Sequence, residues 1–240
     1  MTHKNTTNIV PKHIAIICDG NRRWARSQGL KVFAGHKKAV HENFEELIDH
    51  SLDVGIEYLT FWIFSTENWD RDKSEVDFLM NLFREIFDKQ IDGWKQKGVR
   101  FNMIGDITGF ETDIQERIID GKQKTKDQKK LTVTLAMNYG GRDEITRATQ
   151  KLAKDLLSGK LKEEEITQST FAQYLDTADM PDPDCIVRTS GEQRMSGFMS
   201  WQQQYSEFIF VPYTFPEMHA DQLDAVIAEF NRRNRRFGKG

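Results

Sequence analysis

Six runs of apolar, β-branched or aromatic residues punctuate the chain: His13 to Cys18, Tyr58 to Phe64, Val99 to Ile104, Leu131 to Met137, Cys185 to Val187 and Phe208 to Val211. Each has the length and composition of a strand. Their near-continuous hydrophobicity is what strands covered on both faces require. Between most of them the apolar period lengthens to three or four. After Ser74, the residues Val76, Leu79, Met80, Phe83, Ile86, Phe87, Ile91 and Trp94 line one predicted helix face. Val40, Phe44, Leu47 and Ile48 form a second stripe, and Leu223, Val226, Ile227 and Phe230 a third. Strands alternating with helices predict an α/β fold with a mainly parallel sheet covered on both faces. No repeat, low-complexity block or Pro/Gly/Ser linker divides the 240 residues, so we expect a single domain over 1–240, with 1–12 a flexible N-terminus.

Composition narrows the function classes. A hydrophobic content of 38%, a charged content of 30% and a mean hydropathy of -0.63 describe an ordinary soluble globular chain. The longest apolar runs, HIAIIC and YLTFWIF, fall far short of a bilayer span, and the polar start MTHKNTTNIV lacks the apolar core of a secretory signal. A cytoplasmic protein without an integral membrane segment is the expectation. Cys18 and Cys185 show no C-x-x-C or Cys/His spacing, which points to reduced buried thiols rather than a zinc site or a disulfide. A net charge of -3 gives no reason to expect nucleic acid. The locally basic NRRNRRFGKG reads as a solvated or interface-facing helix end.

Ligands of open α/β sheets bind beyond the carboxyl ends of the strands, and the polar clusters fall there. Asp19-Gly20-Asn21-Arg22-Arg23-Trp24 follows the first run, and Ser65-Thr66-Glu67-Asn68-Trp69 the second. Asn138-Tyr139-Gly140-Gly141-Arg142 follows the fourth, and Arg188-Thr189-Ser190-Gly191-Glu192 the fifth. Gly20 lets backbone approach a ligand, the amides after it can face an anion at a helix start, and arginines add bidentate phosphate contacts. Asp19 repels a bare phosphate, so it belongs beside such donors if a hard cation such as Mg2+ bridges the two. The same hexapeptide equally suits an Asp/Asn turn with solvated arginines. The fifth cluster shifts the balance. Arg22, Arg23, Arg71, Arg188 and Arg194, with Ser196, exceed what one monophosphate needs, and a diphosphate, or two, fits better. Neither a G-x-x-x-x-G-K-[ST] loop nor a G-x-G-x-x-G turn is present. Trp24, Phe61, Trp62, Phe64 and Trp69 supply aromatic surface, either plain core or the wall of a pocket for an apolar tail on a diphosphate head.

DGNRRW, Gly35-His36, FSTENWDR, NYGGRDEI, PDPD, RTSGEQRMSGF, WQQQYSE and NRRNRRFG stand in the order and approximate spacing of the cis-prenyltransferases. The resemblance to that family, which includes undecaprenyl diphosphate synthase, runs from about His13 to Gly238. Any one segment is weak; the collinear set is highly specific. It implies a six-stranded, mostly parallel sheet flanked by helices, a homodimer and an apolar tunnel for the growing chain. The implied reaction condenses isopentenyl diphosphate with an allylic isoprenyl diphosphate, with Mg2+ as cofactor, to a Z-polyprenyl diphosphate. Release of such a lipid allows peripheral membrane contact.

The resemblance also implies roles. Asp19 matches the catalytic aspartate that holds Mg2+ on the allylic diphosphate, and Gly20, Asn21, Arg22 and Arg23 match the loop that grips it. Trp24 and His36 match further substrate contacts. Ser65, Thr66, Glu67, Trp69 and Arg71 match the second substrate loop. Arg188, Arg194, Met195 and Ser196 match the isopentenyl diphosphate site, and Glu207 the second metal-associated acid. Asn68 stands where a proton acceptor is often assigned. A neutral amide is a poor base, so we expect it to orient substrate while a diphosphate oxygen takes the proton.

This chain departs from the commonest long-chain pattern at Arg22, where glycine is usual, at Val32, where arginine is common, and at Gly197, where asparagine is usual. Arg22 or Lys31 is expected to supply the donor absent at Val32. Ile63 stands where alanine typically lies beneath the growing chain, and its added volume should obstruct a tunnel. Arg22, Gly197 and Ile63 together resemble short-chain members making products such as Z,E-farnesyl diphosphate. The alternative is an ordinary core residue, a tunnel that widens elsewhere and a long product. Some relatives of the fold are non-catalytic partner subunits that lose the aspartate and second-loop residues, whereas Asp19, Asn68 and Glu207 are present here. A nucleic-acid-binding module using the basic tail has no other support in the sequence.

Overall fold

β1 (His13–Ile17) carries five consecutive buried residues and sends them alternately to two sides. Ile14 and Ile16 join a large apolar layer, while Ala15 and Ile17 join a smaller one. The same alternation runs through β2 (Tyr58–Ser65), β3 (Val99–Ile104), β4 (Leu131–Tyr139), β5 (Cys185–Arg188) and β6 (Glu207–Phe210). In a computed structural model, which describes residues 9–233, these strands form one six-stranded sheet of order β3-β4-β2-β1-β5-β6. Every neighbouring pair is parallel, which sharpens the mostly parallel expectation.

Helices cover the sheet in a single-domain α/β arrangement. α1 (Asn21–Ser27) and α2 (Phe33–Lys38) follow β1, and a π-helical segment, Ala39–Asn43, joins α2 to α3 (Phe44–Val54). Then come α4 (Lys73–Lys89), α5 (Ile91–Lys97), α6 (Thr112–Thr125), α7 (Gly141–Leu157), α8 (Gln168–Ala172) and α9 (Ala220–Arg232). The large layer unites the predicted stripes of α3, α4 and α9 with the strands. At its centre Phe44 stacks on Phe61 at 4.5 Å and meets Phe215 at 5.7 Å. Burying such a ring contributes roughly 1.5–3 kcal/mol. On the other face Tyr139 donates to the buried carboxylate of Glu144 in α7, at 2.7 Å.

Three local features position the site. The stripe after Ser74 is divided into α4 and α5 at Gln90, whose side-chain amide crosses to the Val40 carbonyl (2.9 Å) and pins the junction to the π segment. That segment is itself tied down by Asn43, which donates to the carbonyls of Met218 (2.8 Å) and Pro216 (3.3 Å). Wide turns of this kind recur near functional sites, and this one follows His36 closely. The third is a register slip at the carboxyl end of β2. Trp62 pairs with Ala136 and Phe64 with Met137, so Ile63 is an extra residue; Ser65 pairs with Tyr139, so Asn138 is the compensating one. Asn138 takes a left-handed φ of 47° to do so.

Cys18 is partly exposed and Cys185 is buried in the core. No described helix is long and apolar enough to cross a membrane. The N-terminal stretch 1–8 and most of the basic tail, 234–240, lie outside the described residues.

Candidate active site

The chain turns sharply where β1 ends. Gly20 adopts φ 97°, and a Cβ there would stand 2.8 Å from the Thr214 side chain. The Asp19 amide donates to the Thr189 hydroxyl (3.0 Å), which donates back to the Asp19 carbonyl (2.7 Å). The Asp19 carboxylate accepts from the Gly20 amide through Oδ1 (2.7 Å) and from Arg188 Nη2 through Oδ2 (3.0 Å). Arg188 is only 5% exposed. Its Nη1 donates to the Arg194 carbonyl and to Ser196 Oγ (3.0 Å), while Nε has no partner. Arg23 donates to the Ser190 carbonyl (3.0 Å) and to Glu192 (3.3 Å), and it lies 3.8 Å from Asp19 Oδ1.

The opposite wall is built around Glu75 at the start of α4, a carboxylate that is 5% exposed. Arg71 Nη1 meets its Oε1 at 2.8 Å, and Arg22 Nη1 lies 3.6 Å from Oε2. His36 Nε2 is 3.9 Å from Oε1, beyond hydrogen-bond reach, and is buried without a partner. Gly35 delivers this histidine: a Cβ at Gly35 would lie 2.0 Å from the Asn21 carbonyl oxygen, so α2 can press against the start of α1 only with glycine there. Burial, then Arg71, pushes the His36 pKa down to about 4 and, despite Glu75, keeps the ring neutral near neutrality. Asn68 uses its Oδ1 to accept the Ser65 amide (3.1 Å), so its NH2 group remains to face a ligand.

Asp19, Gly20, Asn21, Arg22, Arg23, His36, Ser65, Asn68, Arg71, Arg188 and Ser196 line one open cleft of about 430 Å3. Other predicted residues stand behind it. Trp69 donates to Asn138 Oδ1 (2.8 Å) and anchors the second loop, and Thr66 packs against Gly140. Arg194 lends its carbonyl to Arg188 and pairs with Glu192, Met195 packs on the smaller apolar layer, Glu67 is exposed, and Trp24 lies under the Lys38 ammonium.

Glu207 does not join Asp19 within the chain. It stands level with Cys185 and Ile14 at the amino end of the sheet and pairs with Arg233 (3.1 Å). Three strand residues, about 10 Å, separate that level from the end of β1. Lys31 does not line the cleft either, whereas Arg22 and Arg26 do. Glu75 and Arg26 escaped the reading of the sequence, and Thr189 and Glu192 stood in its fifth polar cluster without a role of their own. Only the Arg71/Glu75 spacing of four residues offered a signal.

The cleft is therefore rich in cations, with Asp19 the sole carboxylate among the described residues lining it. No group of three or more His, Cys, Asp or Glu side chains assembles as a metal site among the described residues. Mg2+ characteristically takes one or two carboxylates and completes its shell with substrate phosphates and water, which a lone Asp19 fits. Cys18, Asn21, His36 and Ile63 also border a second, apolar cavity closed by Ala39, Val40, Phe44, Leu79, Leu82 and Phe83.

A family model described as putative undecaprenyl diphosphate synthase matches residues 17–238. Among curated relatives, an isoprenyl transferase of Agrobacterium fabrum is 44% identical over 97% of this chain and 94% of its own length. A (2E,6E)-farnesyl-diphosphate-specific ditrans,polycis-undecaprenyl-diphosphate synthase of Micrococcus luteus is 40% identical over 95% and 92%. Among solved structures, a lavandulyl diphosphate synthase of Lavandula x intermedia in complex with dimethylallyl diphosphate superposes with a TM-score of 0.92. The identity is 35%, covering 96% of this chain and 99% of that one. A probable undecaprenyl diphosphate synthase of Campylobacter jejuni gives 0.77 at 34% identity, covering 95% and 99%.

Proposed function

Because this chain belongs to the prenyltransferase family of undecaprenyl diphosphate synthases, we propose that its cleft joins an allylic isoprenyl diphosphate to isopentenyl diphosphate. The chain is an isoprenyl transferase that elongates in cis and releases diphosphate. One observation carries the assignment of this site: a wall of arginines around a single carboxylate opens directly onto an apolar chamber. A diphosphate head with a hydrocarbon tail needs both, in that order.

His36 and Asn21 border both spaces, so the allylic substrate lies with its diphosphate against Arg22, Arg71 and His36 and its tail in the chamber. Isopentenyl diphosphate takes the other wall, at Arg188 and Ser196, together with Arg23, which the resemblance puts on the allylic diphosphate but which leans to this side through Ser190 and Glu192. Asp19 would hold Mg2+, which when bound supplies positive charge against the diphosphates. Arginine N–H groups stabilise the negative charge that grows as the allylic C–O bond breaks. The double-bond electrons of isopentenyl diphosphate form the new C–C bond, and a proton is lost to a diphosphate oxygen. Asn68, its carbonyl already occupied, orients the substrate through its NH2 group rather than taking that proton. A homodimer, a cytoplasmic location and membrane contact at product release extend this proposal on the strength of the family.

The same chamber bears on the product. That chamber is narrow, and the side chains lining it leave far less room than an undecaprenyl tail needs. We therefore assign a short product, with Ile63, Phe44, Leu82 and Phe83 as the closing wall. Incubation with Mg2+, isopentenyl diphosphate and geranyl or farnesyl diphosphate, followed by product chromatography, tests both levels. Products a few isoprene units long are expected, with a shift to longer chains in Ile63→Ala. Long polyprenyl products from the unaltered enzyme would overturn the assigned length; no product at all would overturn the transfer reading.

A further inference from the structure

We propose that Glu75 is a positioning residue for the allylic diphosphate, a buried carboxylate that holds Arg22 and Arg71 side by side and turns their remaining N–H groups to the substrate. The inference rests on reading the cleft as the prenyl-transfer site.

Glu75 does not line the cleft, yet its two oxygens each meet a different arginine that does. Arg71 comes from the segment just before α4 and Arg22 from α1, so this carboxylate ties together two segments far apart in the sequence. Without it, two guanidinium groups converging on one pocket would repel each other and spread towards solvent. With it, the trio carries a net single positive charge and a fixed geometry. Each guanidinium has five N–H donors; Arg71 spends one on Glu75 at 2.8 Å, while Arg22 is held by charge alone at 3.6 Å. The others remain for phosphate oxygens. The burial of Glu75 gives the tie its force, because a charge with 5% exposure is stable only while its partners stay with it. Arg26 supplies the contrast. It lies one helical turn after Arg22 and lines the same cleft, but Glu75 does not hold it.

The test is steady-state kinetics of the full-length enzyme with Mg2+, isopentenyl diphosphate and farnesyl diphosphate, alongside calorimetric binding of inorganic pyrophosphate. Glu75→Gln is expected to raise the KM for farnesyl diphosphate roughly tenfold, the loss of one charge-assisted contact, while kcat and the KM for isopentenyl diphosphate stay within about threefold. Glu75→Asp restores part of the affinity. Arg22→Gln alone gives a similar rise and adds little in the double variant. An allylic KM unchanged in both Glu75→Gln and Arg22→Gln overturns the proposal. So does an equal rise in both KM values with a lower melting temperature, the signature of a merely structural role. Should Glu75→Gln fail to fold, Arg22→Gln decides on its own by the same KM reading. Weaker pyrophosphate binding in the variants of an enzyme that shows no turnover would uphold Glu75 and sink the assigned reaction instead.

Discussion

On one wall of the cleft, Arg22 and Arg71 converge on a carboxylate that lies behind them, 5% exposed. On the other wall, Arg23 and Arg188 are met by Asp19 and Glu192, whose side chains are 30% and 31% exposed. The difference lies in where the negative charge sits relative to the ligand. A carboxylate behind the wall stays in place when a diphosphate arrives and keeps its arginines aimed. Carboxylates on the ligand's side compete with it for the same guanidinium groups. On the proposed reading Asp19 shares its charge with a cation, while Glu192, outside the cleft lining, pairs with Arg23 and Arg194. The Glu75 wall is preorganised, whereas the β5 wall exchanges one anion for another.

The largest effect should come from the exchanging wall. Asp19→Asn keeps the shape of the side chain and removes the charge; on the proposed reaction kcat falls roughly 10^3-fold, as for loss of a principal transition-state contact, with the fold intact. Single-turnover rates with circular dichroism as control read this. A fall of less than tenfold would mean that Asp19 is only a partner for Arg188.

Acid probes the preorganised wall next. Burial holds His36, and likewise His13, at a pKa of about 4, against 6.5 in the unfolded chain. Above pH 6.5 both states are neutral and stability is full. Between 6.5 and 4 the unfolded chain binds protons that the folded one refuses, so stability falls by about 3 kcal/mol per histidine. Urea unfolding at pH 7.5, 5.5 and 4.5 should show that slope, and His36→Gln should remove about half of it. A flat profile in the unaltered protein would show that His36 is hydrated and its wall open.

The smallest effect belongs to Glu192→Gln, because ion pairs this exposed contribute only about 0–1 kcal/mol. The KM for isopentenyl diphosphate should move less than about threefold. A change as large as that of Glu75→Gln would erase the distinction between the walls.

The sheet was legible because buried parallel strands write themselves as near-continuous apolar runs, and all six runs became strands. The clusters around Asp19, Ser65 and Arg188 were legible for a related reason: in such a sheet, polar residues after a run stand where ligands bind. Glu75 was not. Its spacing from Arg71 is that of any exposed helix pair, and only the distant Arg22, arriving on α1, turns it into a buried hub. The distance of Glu207 from Asp19 was not legible for want of register, since nothing local says at which end of its strand a side chain sits. The break at Gln90 likewise depends on a carbonyl fifty residues earlier.

The paired slip at Ile63 and Asn138 opens and closes within the last few residues of β2 and β4. Ile63 consequently has no ladder partner on β1 or β4, although its side chain borders the chamber. That wall of the chamber is thus a replaceable tile, set between the paired positions of the sheet. On the proposed reading, selection can change its size, and with it the length of the product, one substitution at a time while the sheet around it goes untouched.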